Sequence, residues 1–135
     1  MEEIAIPIRW RDVDAYGHVN NAVYLTYLEE CRDRWVRATL GPAFDHVIVR
    51  IAIDYRREVS LDDHEVTVRC RGVGFGTSSI RTAEEILVGG RIVAAESESV
   101  VVARAADAGR SRPLTAEERA TLGASIARDA ERPAT

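Results

Sequence analysis

The sequence predicts an α+β domain in which one five-stranded antiparallel sheet wraps around one long central helix. Three observations predict it. The stretch from Asn21 to Leu40 contains neither proline nor glycine and stops at Gly41-Pro42, as a helix of full-domain length would. Four segments after it alternate apolar and polar residues with the period of two that a half-buried strand shows. The last of these places only small or β-branched side chains on one face, which leaves room for a thick element to approach.

The first strand is "EIAIPIRWR". Ile4, Ile6, Ile8 and Trp10 share one parity, and Pro7 places the strand at a sheet edge or near its start. The helix follows. Val23, Leu25, Leu28, Cys31, Trp35, Val36 and Leu40 form its apolar stripe, with Arg32, Asp33, Arg34 and Arg37 largely off it. At ~1.5 Å per residue it is about 30 Å long, the width of a small domain, so it must be a central packing element. In "HVIVRIAIDY", Val47, Val49, Ile51, Ile53 and Tyr55 point one way. In "EVTVRCRG", Val66, Val68 and Cys70 oppose Thr67, Arg69 and Arg71. Gly72, Gly74 and Gly76 then put Val73 and Phe75 out of phase, which predicts a bulge. "SSIRTAEEILV" is the next strand, and Gly89-Gly90 turns the chain as a hairpin. In "RIVAAESESVVVAR", Val93, Ala95, Ser97, Ser99, Val101 and Ala103 form the small face expected to meet the helix. "PLTAEERATLGA" reads as a short final helix capped by Thr115 with Glu118 three positions on. One domain is expected over residues 1–124, with 125–135 a frayed tail.

Composition narrows the partners. A formal net charge of −4 argues against nucleic acid. All 18 basic residues are arginine, which leaves open a local patch for phosphate. No apolar run approaches the ~20 residues of a membrane span. "MEEIAIPIRW" lacks the basic start and apolar centre of a signal peptide, so a cytoplasmic protein without a membrane partner is expected. Cys31 and Cys70 sit in apolar contexts and read as a reduced, buried pair.

The chemistry is concentrated in "RDVDAYGHVNNAVYLTYLEECR", Arg11 to Arg32. A calcium loop is rejected, because Tyr16 occupies a ligand position and Val23 stands where a bidentate Glu is required. Asp12, Asp14 and His18 have no further His or Cys at convincing metal-ligand spacing, so no metal is expected. Capping is the plain structural role. Asn20 or Asn21 can accept from first-turn N–H groups, Gly17 can take a positive φ, and Asp14 is favoured by the helix dipole. Capping does not need both asparagines, a histidine and an acid four residues before it. The same geometry is a minimal acyl-transfer site. Unpaired N–H groups at a helix start can hold the oxyanion that forms when a carbonyl is attacked, and a nearby carboxylate can activate water or attack directly.

The stretch "DVDAYGHVNNAVYLTYLEECR" resembles the motif of hotdog-fold acyl-CoA thioesterases of the 4-hydroxybenzoyl-CoA thioesterase-like family. "IDYRREVSLDDHEVTVRCRGVGFGTSSI" and "GRIVAAESESVVVARAADAGRSRPL" are similar to later strands of that family, so the likeness runs from Ile4 to Leu122. The resemblance implies the hotdog fold and hydrolysis of an acyl-CoA or acyl-carrier thioester, with coenzyme A as part of the substrate and no separate cofactor. By position it makes Asp14 the catalytic carboxylate and Asn21 the residue whose backbone amide polarises the thioester carbonyl. It assigns positioning or support to Gly17, His18 and Asn20, and pocket lining to Tyr24. Thr77 and Ser78 fall where a neighbouring subunit approaches the pantetheine arm. Thr77 stands where relatives often carry a basic residue, and Arg104, Arg110 and Arg112 are weaker candidates for the cofactor phosphates.

Other groups take plainer roles. Glu29 and Glu30 read as solvated or ion-paired, His46 and His64 as turn residues, and Ser78 lacks the glycines of a serine-hydrolase elbow. A non-catalytic acyl-CoA-binding protein is the alternative to the enzyme. Hydration of an enoyl-CoA ranks last, since no acid–histidine pair has useful spacing. The outer face of the sheet is expected to carry some apolar residues, and the resemblance implies a homodimer with sites at its interface, or a homotetramer.

Overall fold

A computed structural model describes residues 1–107 and 109–132. Its elements are β1 (Glu2–Pro7), α1 (Asn21–Leu40), β2 (His46–Tyr55), β3 (Glu65–Phe75), β4 (Ser79–Val88), β5 (Ile92–Ala103) and α2 (Ala116–Ala130). The sheet runs β1-β3-β4-β5-β2 with every neighbouring pair antiparallel. This is the expected α+β arrangement, with α1 packed on one face of the sheet. Leu28, Cys31 and Trp35 of α1 bury themselves among Val66, Val68, Cys70, Ile80 and Ile86. Burial pushes the Cys31 thiol up to about 12 and the Cys70 thiol well above its ordinary range, so both are inert packing groups. Among the described residues no helix is long and apolar enough to cross a membrane.

Several details of the sequence reading need correction. Trp10 leaves the strand: the chain enters a 3-10 turn at Trp10–Asp12, and the indole is 81% exposed. The bulge predicted at the glycines of β3 lies between Gly72 and Gly74. A second one, between Ile48 and Arg50 in β2, was not foreseen. Because a one-residue slip reverses every side chain, Ile48 rather than Val47 shares the face of Ile51 and Ile53.

Arg32 is not a surface residue. It is buried and pairs with buried Glu84 at 2.8 Å, and Thr82 and Ser99 donate hydroxyl bonds to the same carboxylate. The small face of β5 therefore serves a purpose beyond the one expected. Helix α1 lies over β1, β3 and β4. Ser97 and Ser99 leave space on β5 for the Glu84 carboxylate, which the register places directly across from Ser97.

The region after residue 124 is not frayed up to Ala130. Helix α2 continues through Gly123 because Leu122, Ser125 and Asp129 prolong one buried stripe at helical spacing. Its start is the predicted box: Glu118 N–H donates to Thr115 Oγ1, and Thr115 N–H donates to Glu118 Oε1. The last three residues of the tail lie outside the described residues. The outer face of the sheet carries Arg69, Arg71, Arg81, Glu85, Glu96 and Glu98, with Val100 and Val102 as apolar residues among them.

Candidate active site

The approach to α1 is anchored by Asp12. This buried carboxylate accepts from Arg9 Nε at 3.1 Å, Arg9 Nη2 at 3.0 Å and the Arg9 backbone N–H at 3.0 Å. The Tyr27 hydroxyl, from the second turn of α1, donates to it at 2.8 Å. Burial works to raise the Asp12 pKa, but the Arg9 and Tyr27 bonds outweigh it and hold the carboxyl below the usual range. Burial and the same carboxylate push the Tyr27 phenol up. The Asp12 carbonyl then accepts from Asn20 N–H at 2.9 Å, and Val13 bridges to Val19, so the intervening loop is closed at its base. Asp12 is fully committed and has nothing left for a metal or a substrate.

Asp14 organises the loop beyond that closure. Its N–H donates to the His18 carbonyl at 2.7 Å, and its carbonyl accepts from Gly17 N–H at 3.1 Å. Gly17 has φ +83°, where a side chain is strained, which explains glycine at the tip. Asp14 Oδ1 accepts the N–H groups of Tyr16 at 2.9 Å and His18 at 3.2 Å. Both bonds fall on one oxygen, and Oδ2 makes none with the described residues.

The helix start is capped by one asparagine. Asn20 Oδ1 accepts from Ala22 N–H at 2.9 Å, and the Asn20 carbonyl accepts from Val23 N–H at 2.8 Å. The Asn21 N–H is left as the first-turn donor with no acceptor among the described residues. One residue is thus the cap, and the next carries the free donor. That division explains the side chain of Asn20; the donor at Asn21 is its backbone N–H.

A cavity of about 400 Å³ opens beside these groups, lined by Asp14, His18, Asn21, Tyr24, Tyr55 and Arg57 among others. Tyr24 is buried, donates to the Arg57 carbonyl at 3.4 Å and meets the Tyr55 ring edge-on at 5.0 Å; burial raises its phenol pKa. The Tyr55 hydroxyl donates to the Asn21 carbonyl at 3.0 Å, which ties the end of β2 to the start of α1. His18 Nε2 lies 3.1 Å from Glu58 Oε2, a carboxylate side chain that is 75% exposed. This acid–histidine pair was not visible in the sequence, because its members lie on separate loops joined by the His18–Ser60 bridge.

The structure thus brings together Asp14, Gly17, His18, Asn20, Asn21 and Tyr24. It adds Tyr55, Arg57 and Glu58, which carried no sequence signal beyond ending a strand. It does not bring Thr77, Ser78, Arg104, Arg110 or Arg112 to the same place within one chain. Ser79 pairs with Val102 and His46 with Ala103, so the β3–β4 turn and Arg104 lie at the end of the sheet where β2 begins. Tyr55 and the cavity lie at the other end of β2, about 30 Å away at ~3.3 Å per residue. Two of the arginines are also engaged. Arg104 pairs with Asp45 at 3.1 and 3.4 Å, and Arg112 holds Glu118 at 2.8 and 2.9 Å. Among the described residues no three His, Cys, Asp or Glu side chains gather as a metal site would need.

Comparison with known proteins gives consistent matches. The family model described as the Thioesterase-like superfamily matches residues 8–122. The long-chain acyl-CoA thioesterase FadM of Escherichia coli (strain K12) is 39% identical over 66 residues, covering 43% of this chain and 48% of the relative. The chain therefore spans about half the length of that curated relative. A thioesterase from Thermus thermophilus, solved in complex with coenzyme A and Zn, superposes with a TM-score of 0.80 at 34% identity, over 98% of this chain and 96% of that one. YbaW, a probable thioesterase from Escherichia coli, superposes with a TM-score of 0.78 at 26% identity, over 93% and 99% of the two chains.

Proposed function

This chain belongs to the Thioesterase-like superfamily, and we propose that it hydrolyses the thioester bond of an acyl-CoA, with Asp14 and the Asn21 backbone amide as its reacting groups. The observation that carries the reading is that Asp14 and Asn21 line one cavity while the Oδ2 of the first and the N–H of the second have no partner among the described residues. Around them Asn20 caps the helix, His18 meets Glu58, and Tyr24 and Tyr55 donate to backbone carbonyls. Oδ1 is fixed by two amides, so the carboxylate has one orientation and one reactive oxygen.

The thioester carbonyl oxygen accepts from the Asn21 N–H, at the positive end of a long helix, where negative charge is favoured. A water between Asp14 Oδ2 and the carbonyl carbon gives its proton to the carboxylate as its oxygen attacks. The tetrahedral oxyanion collapses, the C–S bond breaks, and the thiolate leaves. The products are a carboxylic acid and a thiol, and the proton on Asp14 returns to solvent or thiolate. Direct attack by Oδ2 uses the same atoms, forming an acyl–aspartyl anhydride that water then opens. Gly17 and Asn20 shape the loop and cap. Tyr24 forms the cavity wall, and Tyr55 holds the helix start in place.

The exposed flank of β2 supports a homodimer. Ile48, Val49 and Tyr55 are 47%, 58% and 44% exposed on an edge strand, an unprotected template for a second copy. A two-fold axis through the middle of β2 would join two β2 edges antiparallel. It would set the second copy's Thr77–Ser78 turn, Arg104 and Arg110 at the end of the sheet that holds Asp14. The second β4 would then lie three strand spacings from the first β2, about 14 Å. That is the reach of an extended pantetheine arm, so the CoA phosphates would meet residues of the other copy.

The test is release of free thiol from a panel of acyl-CoA thioesters, with Asp14→Asn measured beside the wild type. Turnover by the wild type and its loss in the variant, with ligand binding retained, is the expected result. Binding of acyl-CoA without turnover by the wild type would leave a binding protein instead.

A further inference from the structure

The His18–Glu58 pair is not needed to hold its two loops together. Val19 N–H donates to the Val59 carbonyl at 2.7 Å and His18 bridges to Ser60, so the backbone already joins them. An exposed ion pair adds little stability, and the Glu58 side chain is 75% exposed. Glu58 also follows two arginines in the chain, and neither takes it. Arg56 pairs with Asp54 and Glu96, and Arg57 reaches Asp63 at 3.5 Å. The carboxylate is left to the His18 ring, 3.1 Å from Nε2. The second ring nitrogen, Nδ1, has no partner among the described residues. The ring belongs to the cavity of the candidate site. The His18 N–H donates to Asp14 Oδ1, and His18, Glu58, Asp14 and Asn21 line that cavity together. The other ionisable groups on its wall are spent: Tyr24 and Tyr55 donate to backbone carbonyls, and Arg56 and Arg57 are ion-paired. A histidine held by a carboxylate through one nitrogen is oriented to pass a proton through the other.

We propose that His18 is a second proton-transfer group of this site, which gives its Nδ1 proton to the departing sulfur, and that Glu58 is the positioning residue that holds the ring for it. His18 takes this role only where Asp14 and Asn21 are the reacting groups, the reading on which the inference rests. The ring enters the reaction as imidazolium, with Nε2–H donated to Glu58 Oε2. Water adds to the carbonyl carbon, and the proton it loses goes to Asp14 Oδ2. As the tetrahedral oxyanion collapses, the C–S bond breaks and its electron pair takes the Nδ1 proton, so the sulfur leaves as a thiol. Asp14 is then protonated and His18 neutral. Passage of the Asp14 proton to Nδ1 through one water restores both groups. One water and one thioester have become one carboxylic acid and one thiol, and no proton is drawn from bulk solvent. Asp14 thus serves the bond that forms, and His18 serves the bond that breaks.

The test compares two substrates with the same acyl group, the CoA thioester and the thiophenol thioester. The alkyl thiolate of CoA is the stronger base and gains from a proton as it leaves. The aryl thiolate is a weak base and leaves without one. Five proteins are assayed on both: the wild type, His18→Gln, Glu58→Ala, Glu58→Gln and Asp14→Asn. His18→Gln should lower kcat for the CoA ester by about 10²-fold and for the aryl ester by less than about threefold. Glu58→Ala should lower kcat for the CoA ester about tenfold and spare the aryl ester, because a ring free to turn misplaces its proton. Glu58→Gln keeps an acceptor for Nε2–H and should recover most of that loss. Asp14→Asn should fail on both esters. A merely structural role for His18 would lower both esters alike. Glu58 is exposed enough that its replacement leaves the packing intact, so Glu58→Ala decides alone if His18→Gln does not fold. Equal effects on the two esters in His18→Gln or Glu58→Ala, with Asp14→Asn inactive on both, overturn this inference and leave the role of Asp14 standing. Undiminished turnover in Asp14→Asn overturns the underlying reading and the role of His18 with it.

Discussion

Replacing Asp14 in two ways separates its chemical task from its structural one. Oδ1 holds the Tyr16 and His18 amides, and Oδ2 has no partner among the described residues in a side chain that lines the cavity. Asparagine keeps an Oδ1 acceptor and nearly the same shape, so Asp14→Asn should preserve the loop and melt within about 2 °C of the wild type. It has no basic or nucleophilic oxygen at neutral pH. A positioned general base contributes roughly 10²–10⁴-fold, so kcat/KM should fall by that factor, equivalent to about 3–5 kcal/mol of transition-state stabilisation. Asp14→Ala loses the same chemistry and both hydrogen bonds. Tyr16 is exposed and its N–H regains water, whereas the His18 amide is partly covered and is left under-satisfied. Only that second bond should count, at about 1 kcal/mol, or roughly 3–5 °C in Tm. Thiol release and thermal melting of the two variants, measured side by side, give both quantities. Two results would refute the reasoning. Full activity in Asp14→Asn would remove Asp14 from the chemistry. Equal loss of stability in the two variants would mean that the amide bonds to Oδ1 are not what shapes the loop.

Three further outcomes follow from the packing. Glu84→Leu should cost about 3–5 kcal/mol in urea unfolding, because it leaves the buried Arg32 guanidinium unpaired, while Arg32→Leu/Glu84→Leu together should recover most of that loss; a double variant worse than either single one would contradict this. Gly72→Ala should lower stability by about 1–3 kcal/mol on thermal melting, since a Cβ there would come within 2.7 Å of Trp35 Cζ2, an indole wedged between β3 and α2. The Arg112 side chain, with help from the Thr115 amide and hydroxyl, lowers the Glu118 pKa from 4.5 to about 2. The stability this lends is fully present above about pH 4.5 and is lost as the pH falls toward 2. Glu118→Gln should therefore melt lower than the wild type at pH 6, by about 1–2 kcal/mol after allowance for solvent screening, and the gap should close by pH 2.

The long helix was legible because a run without breakers, ended by Gly41-Pro42, leaves the backbone few alternatives. The glycine bulge of β3 was legible for a similar local reason, and so was the Thr115–Glu118 cap. What escaped were consequences of partners distant in sequence. Arg32 lies at a helix position that any exposed residue could occupy, and only Glu84, 52 residues away, makes its burial tolerable. The bulge in β2 has no glycine to announce it, because valine and arginine fit a strand in either register. Helix α2 ran past its expected end because one internal glycine weighs less than a stripe of buried residues continuing beyond it.

The candidate site divides along the same line, and Asp12 and Asp14 make the division plain. Two residues apart in one motif, they carry the same charge, and in the sequence only position in the motif sets Asp14 apart. Folding gives Asp12 an arginine, a tyrosine and a place in the core, and uses all its capacity. It gives Asp14 two amides on one oxygen and leaves the other without a partner among the described residues, in a residue that lines a cavity. Arg9 and Tyr27 together set the difference, and α1 aims Tyr27 at the first acid and not the second. The helix that supplies the free Asn21 donor at its start therefore also helps to decide, one and a half turns later, which carboxylate is held in the core and which keeps an oxygen without a partner among the described residues. A variant that frees Asp12, such as Tyr27→Phe, should loosen the loop that presents Asp14 without touching any group in the cavity, and so should lower kcat while leaving the free-enzyme pH profile of kcat/KM in place.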